Sequence, residues 1–122
     1  MPDVKIILGL EDFIGKGVYR EINDLFKFKD KRVLIIDTGD KALELALELT
    51  KFTGRVIVLT SAQNTPGSEE LKKKLKLSDI KILYQSELLE VKGTDEVEKV
   101  IVHDLDENEN YELFIDSIVY LE

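Results

Sequence analysis

A chain of 122 residues with 43% hydrophobic side chains is long enough for one compact domain and too apolar for global disorder. A net charge of −8 argues against partnership with nucleic acid or an anionic membrane surface. The absence of cysteine excludes disulfides and thiolate chemistry, and a single histidine excludes a multi-histidine metal site within one chain.

No apolar run approaches the roughly 20 residues that span a bilayer. The opening Met-Pro-Asp carries no basic region and no cleavage pattern, so a cytoplasmic protein is expected. Abundant Lys and Glu, two Gln and no Cys suggest a thermophilic source. Val4 to Leu10 reads as a short strand, or as an arm that packs on something else. Glu11 to Gly17 reads as a loop, with Gly15 and Gly17 there for flexibility, since no Gly-Lys-Ser/Thr follows to make a phosphate loop. Val18, Ile22, Leu25 and Phe26 recur at helical spacing, which predicts a short helix over 18–28.

The centre of the chain is Lys31 to Thr60. The apolar run Val33 to Ile36, closed by Asp37, predicts a buried strand. Thr38 and Gly39 predict a tight turn. Asp40 then opens a helix, as N-cap or first-turn acid, where exposed N–H groups favour a carboxylate. That helix is predicted to reach Phe52. Ala42, Leu45, Ala46 and Leu49 lie on its apolar face, with Leu43 and Leu47 widening it, and Gly54 stops it. Arg55 to Thr60 is a second buried strand, completing a right-handed βαβ unit. A polar loop over 61–68 leads to a second helix, which Ser68, Glu69 and Glu70 begin and which ends near Leu77. Its Lys72 to Lys74 run, preceded by Glu69 and Glu70, reads as a solvated face. Ile80 to Tyr84 is a third short strand.

Beyond it the pattern changes. Glu87 to Val91, Val97 to His103 and Tyr111 to Ile115 predict an antiparallel three-stranded meander. Ser117 to Leu121 should return to the parallel sheet. No repeat or linker divides the chain. Residues 1–122 form a single domain, with 1–30 as arm and short helix and 31–122 as core.

This order of elements resembles the pyridine-nucleotide-binding domain of thioredoxin reductases and related flavoprotein disulfide reductases. Three stretches carry the likeness: Phe13 to Val18 (FIGKGV), Lys29 to Leu59, and Tyr111 to Glu122 with its acid before the last strand. The resemblance implies an α/β, Rossmann-like, three-layer nucleotide-binding domain with a parallel sheet and an inserted antiparallel meander. It also implies a G-x-G-x-x-G/A fingerprint, matched here by Asp37, Gly39 and Ala42. Gly39 stands where backbone approaches a pyrophosphate, and Ala42 where helix and strand pack closely. Asp37 replaces the first glycine. Two like charges about 5 Å apart at an effective dielectric near 20 repel by roughly 3 kcal/mol, on the order of a hundredfold in affinity.

The family's redox cysteine pair falls where Tyr19 to Asp24 stand, so no thiol relay runs here. Thr60 and Ser61 follow the second strand in place of the acid of an NAD site or the basic residues of an NADP site. The candidate cofactor-binding residues are therefore Gly39, Asp40, Lys41, Ala42, Thr60 and Ser61, with NAD(P)H at most a weak ligand and no cofactor the first expectation. Asp37 and Asp40 could hold a divalent cation, but one turn residue and one helix cap account for them. His103 has no visible nucleophile beside it. The function that follows is non-catalytic in the isolated chain, acting by contact with a protein partner or by self-association as a dimer. The alternative is a weak nucleotide-binding module of a split oxidoreductase, and a small metal enzyme ranks last.

Overall fold

The computed structural model describes residues 6–121. Val4 and Lys5 of the expected arm lie outside the described residues. Eight strands and two helices follow in chain order: β1 (Val18–Tyr19), β2 (Val33–Ile36), α1 (Asp40–Leu49), β3 (Val56–Leu59), α2 (Glu69–Leu77), β4 (Lys81–Leu83), β5 (Ser86–Gly93), β6 (Val97–Asp104), β7 (Glu109–Phe114) and β8 (Ser117–Val119). Five strands form a parallel sheet in the order β1-β8-β2-β3-β4, and β5-β6-β7 form a separate antiparallel sheet.

The central parallel strands β2 and β3 are apolar throughout because each serves two cores. Val33 and Ile35 of β2 join Val56 and Val58 of β3 against the helices, in a cluster with Ala42, Leu43, Ala46 and Leu49 of α1. Leu34 and Ile36 face the other way, with Leu59, Ile118 and the meander residues Leu88, Val91, Val100 and Val102. Alternation along a strand thus builds a three-layer stack of helices, parallel sheet and meander. This is the α/β Rossmann-like arrangement that the resemblance implies.

Helix α1 stops at Leu49, three residues short of the expected Phe52, and turns continue through it. Gly54 does not cap it. Thr50 donates its hydroxyl to Leu47 O at 2.6 Å, and Thr53 donates to Lys31 O at 2.7 Å, so two threonines lead the chain out of the helix. Leu43 belongs to the buried face, whereas Leu45 sits at its margin. Ser68 caps α2 by accepting from Leu71 N at 3.3 Å.

The expected helix over 18–28 is replaced by β1 and a short 3-10 turn, Leu25–Phe28. Val18 and Tyr19 pair in register with Ile118 and Val119 of β8. Asp24 starts the turn by accepting from Phe26 N at 3.0 Å. The helical spacing arises from an extended segment that crosses from one core to the other: Val18 packs on the meander side, and Tyr19, Ile22, Leu25 and Phe28 on the helix side. Sheet pairing outweighs the local period. Phe26 is exposed.

Glu11–Phe13, within the expected loop, forms one 3-10 turn. Gly17 is not there for looseness. Its φ is +117°, and a Cβ added to it would lie 2.8 Å from Val97 Cβ, so backbone conformation and close packing both demand glycine. The arm runs along the meander edge, where Leu8 N donates to Leu89 O at 3.0 Å and Val91 N donates to Leu8 O at 2.8 Å. At the start of the central strands, Arg32 clasps Asp116: its Nε reaches Oδ2 at 3.2 Å and its Nη2 reaches Oδ1 at 3.1 Å. Among the described residues no helix is long and apolar enough to cross a membrane.

Candidate functional site

The carboxyl ends of parallel strands are where doubly wound sheets place ligands. Here β2 ends at Ile36 and the chain turns through Asp37, Thr38 and Gly39 into α1. Gly39 holds φ +134° and ψ −176°, a conformation open essentially to glycine alone. Its carbonyl accepts from Ala42 N at 3.1 Å and Leu43 N at 3.3 Å, which fixes the start of the helix. Open space faces the position a Cβ would take. Gly39 is thus the N-cap, and Asp40 is the first-turn acid.

Asp37 closes on this turn. Gly39 N donates to Asp37 Oδ1 at 3.2 Å, and Thr60 Oγ1 donates to Asp37 Oδ2 at 2.8 Å. Thr60, at the end of β3, is buried and tied on each side. Its N donates to Leu83 O at 3.0 Å, its carbonyl accepts from Ser86 N at 3.0 Å, and its hydroxyl oxygen accepts from Ala62 N at 3.2 Å. It is a junction between β3, β4 and the meander, with its hydroxyl proton committed to Asp37.

The six residues expected to line a cofactor site fall into four places. Gly39 and Asp40 form the exposed turn and helix start, while Ala42 is buried beneath them against the sheet. Thr60 lies behind Asp37. Ser61 borders a cavity of about 150 Å³ beneath the meander, with Ile7, Ile36, Leu88 and Tyr120. Lys41 lies on the flank of α1 and borders a different hollow with Arg20, Glu44 and Leu121. Lys41 and Ser61 therefore do not converge. Sequence reasoning missed this separation. Tyr120 packs at the rim of the meander core, and its ring lies under Arg20 with 5.6 Å to its centroid.

The other candidates lie elsewhere. His103 sits on β6, its Nδ1 2.6 Å from Asn110 Oδ1 of β7. Burial pushes the Tyr111 hydroxyl above its ordinary value, aided by the Asp104 charge and opposed by a hydrogen bond with Ser86. Among the described residues, no group of three or more His, Cys, Asp or Glu side chains is placed to hold a metal ion.

The backbone of the turn suits a pyrophosphate, whereas its charge does not. The Gly39 N–H that would greet a phosphate oxygen already serves Asp37, and the Asp37 carboxylate stands beside the helix start. A dinucleotide diphosphate at this turn would meet the Asp37 carboxylate and compete with it for the Gly39 N–H.

The family profile described as pyridine nucleotide-disulphide oxidoreductase matches residues 32–108, more than half of the chain. The chain is 34% identical over 108 residues to a thioredoxin reductase from Borreliella burgdorferi, covering 87% of this chain and 33% of that protein. It is 27% identical over 109 residues to ferredoxin–NADP reductase 2 from Oceanobacillus iheyensis, covering 89% of this chain and 33% of that one. It thus spans about a third of the length of the curated relatives it matches. The crystal structure of Lactococcus lactis thioredoxin reductase superposes with a TM-score of 0.86 at 26% identity, covering 95% of this chain and 40% of that chain. By the profile match and the shared fold, the chain belongs to the pyridine nucleotide-disulphide oxidoreductase family.

Proposed function

We propose that this thioredoxin reductase-related chain does no redox chemistry by itself and acts through contact with another protein, in the first instance a second copy of itself. The observation that carries this reading is the N-terminal arm. Its backbone is pinned to β5, and its side chains alternate: Ile7 packs against the meander core, while Ile6 and Leu8 point outward with 79% and 59% of their surface exposed. Large apolar side chains held out on an ordered edge are costly to leave in water and suit an interface.

Lack of cysteine bars thiol–disulfide exchange within this chain. It does not by itself bar other electron transfer, since relatives named ferredoxin–NADP reductase name no disulfide among their reactants. A second reading follows, in which the domain is a weak NAD(P)H-binding half of a split oxidoreductase, with a partner supplying flavin. The open space before Gly39 favours it.

The test is sedimentation velocity at micromolar concentration, with the double variant Ile6→Glu, Leu8→Glu. The wild type should sediment as more than one chain and the variant as one. A wild type that stays monomeric, and retains no partner protein in a pull-down, refutes the contact reading. Calorimetry with NADPH and NADH at low salt decides the second reading, for which micromolar binding by the wild type is required.

A further inference from the structure

We propose that Asp37 is a resident anion: its carboxylate occupies the phosphate position of the turn and closes the domain to nucleoside diphosphates. The inference stands apart from the identity of whatever protein the arm meets.

Three features carry it. The donor nearest the strand end is already used, because Gly39 N points at Asp37 Oδ1 at 3.2 Å. That carboxylate is anchored at its other oxygen by the Thr60 hydroxyl at 2.8 Å. Thr60 is only 3% exposed, and its backbone N and O are bound to Leu83 and Ser86. Swinging Asp37 aside would leave a buried hydroxyl hydrogen without its acceptor.

The backbone of the turn is otherwise permissive. Gly39 keeps its glycine-only conformation with open space in front of it. Asp40 and Lys41 are exposed at the start of α1, where backbone N–H groups and the helix dipole favour an anion. Of the two carboxylates at the turn, Asp37 is the one that takes a backbone donor, whereas Asp40 is exposed to solvent. The obstacle is charge and hydrogen-bond competition rather than a lost fold.

The test is titration of uniformly 15N-labelled protein with ADP, read at the backbone amides of Gly39, Asp40 and Lys41. The wild type is compared with Asp37→Gly and Asp37→Asn. The asparagine keeps an oxygen for Gly39 N but removes the charge, so it separates repulsion from occupancy. Wild-type amides should stay in place at millimolar ADP. Asp37→Gly should shift them with an affinity about a hundredfold higher, and Asp37→Asn should lie between.

Equal binding by wild type and Asp37→Gly overturns the proposal, and so does a folded Asp37→Gly that leaves the three amides unmoved. Should the glycine variant lose its dispersed spectrum, the asparagine variant decides alone. Tighter ADP binding than wild type sustains the proposal, and unchanged binding overturns it. An inactive interaction domain and an intact nucleotide module give different patterns here, because only a closed site opens on a single substitution.

Discussion

The clasp between Arg32 and Asp116 makes a prediction whose size depends on pH. Asp116 Oδ2 accepts from Arg32 N at 2.8 Å and from Nε at 3.2 Å, while Oδ1 accepts from Nη2 at 3.1 Å. It joins the start of β2 to the turn that leads into β8. Hydrogen bonds from the Arg32 side chain hold the Asp116 carboxyl below the usual range, with burial opposing them and the Arg32 backbone N–H adding to them. Charge-assisted bonds are worth about 1.5–3 kcal/mol each when well shielded. Here the side chains are 40% and 39% exposed, so solvent screening reduces the pair to roughly 1–2 kcal/mol. Asp116→Asn retains an acceptor for Arg32 N and loses the charge, and should melt about 4–8 °C lower at neutral pH.

A depressed carboxyl stabilises the fold above its unfolded pKa of about 3.9, and that contribution disappears as pH falls through the lower folded value. Thermal melts followed by circular dichroism at neutral pH and at roughly pH 2 should therefore show the gap between wild type and variant closing in acid. A gap of equal size at both pH values would refute the electrostatic account and leave only a packing effect.

Gly17→Ala should destabilise by roughly 2 kcal/mol or more, since φ +117° disfavours any side chain and the new methyl meets Val97 at 2.8 Å. Urea unfolding measures it, and a neutral result would show that β1 can shift to make room. Phe28→Ala should cost about 3–5 kcal/mol. The ring is fully buried and meets Tyr19 in a T-shaped contact at a centroid distance of 5.0 Å. A loss under about 1 kcal/mol in the same assay would mean that the 3-10 segment lies outside the cooperative core.

Local signals reached some of this structure and not the rest. The run from Val33 to Ile36 identified a strand buried on both faces, because apolar residues at successive positions have no other use in a short element. Ser68 followed by two glutamates marked the start of α2 for an equally local reason. Val18 to Phe28 misled because its period reflects two different cores, which only the pairing of Val18 with Ile118 decides. The insertion of β8 between β1 and β2 rests on contacts across nearly the whole chain, as does the clasp of Arg32 on Asp116, 84 residues away.

At the site, the departure at Asp37 was legible from the fingerprint spacing, but its bond to Thr60, 23 residues on, was not. Neither was the parting of Lys41 from Ser61. Each residue along a helix turns about 100° from the last, so a lysine two positions past the N-cap faces the flank rather than the crevice.

Asp37 can stand in this fold because the fold does not depend on the turn. The strands β2, β3 and β8 are fixed by side chains that point alternately into two cores, and the alternation ends at Ile36 and Leu59. Asp37 and Thr60 are the next residue on each strand, and neither belongs to an apolar cluster. A glycine at 37 would leave the Thr60 hydroxyl seeking another partner and would add backbone freedom to the unfolded chain. The aspartate satisfies Thr60 and Gly39 together and ties the ends of β2 and β3 across the turn. The carboxylate proposed to exclude a diphosphate thus also steadies the strand ends, so that stability and ligand access are opposed at one position.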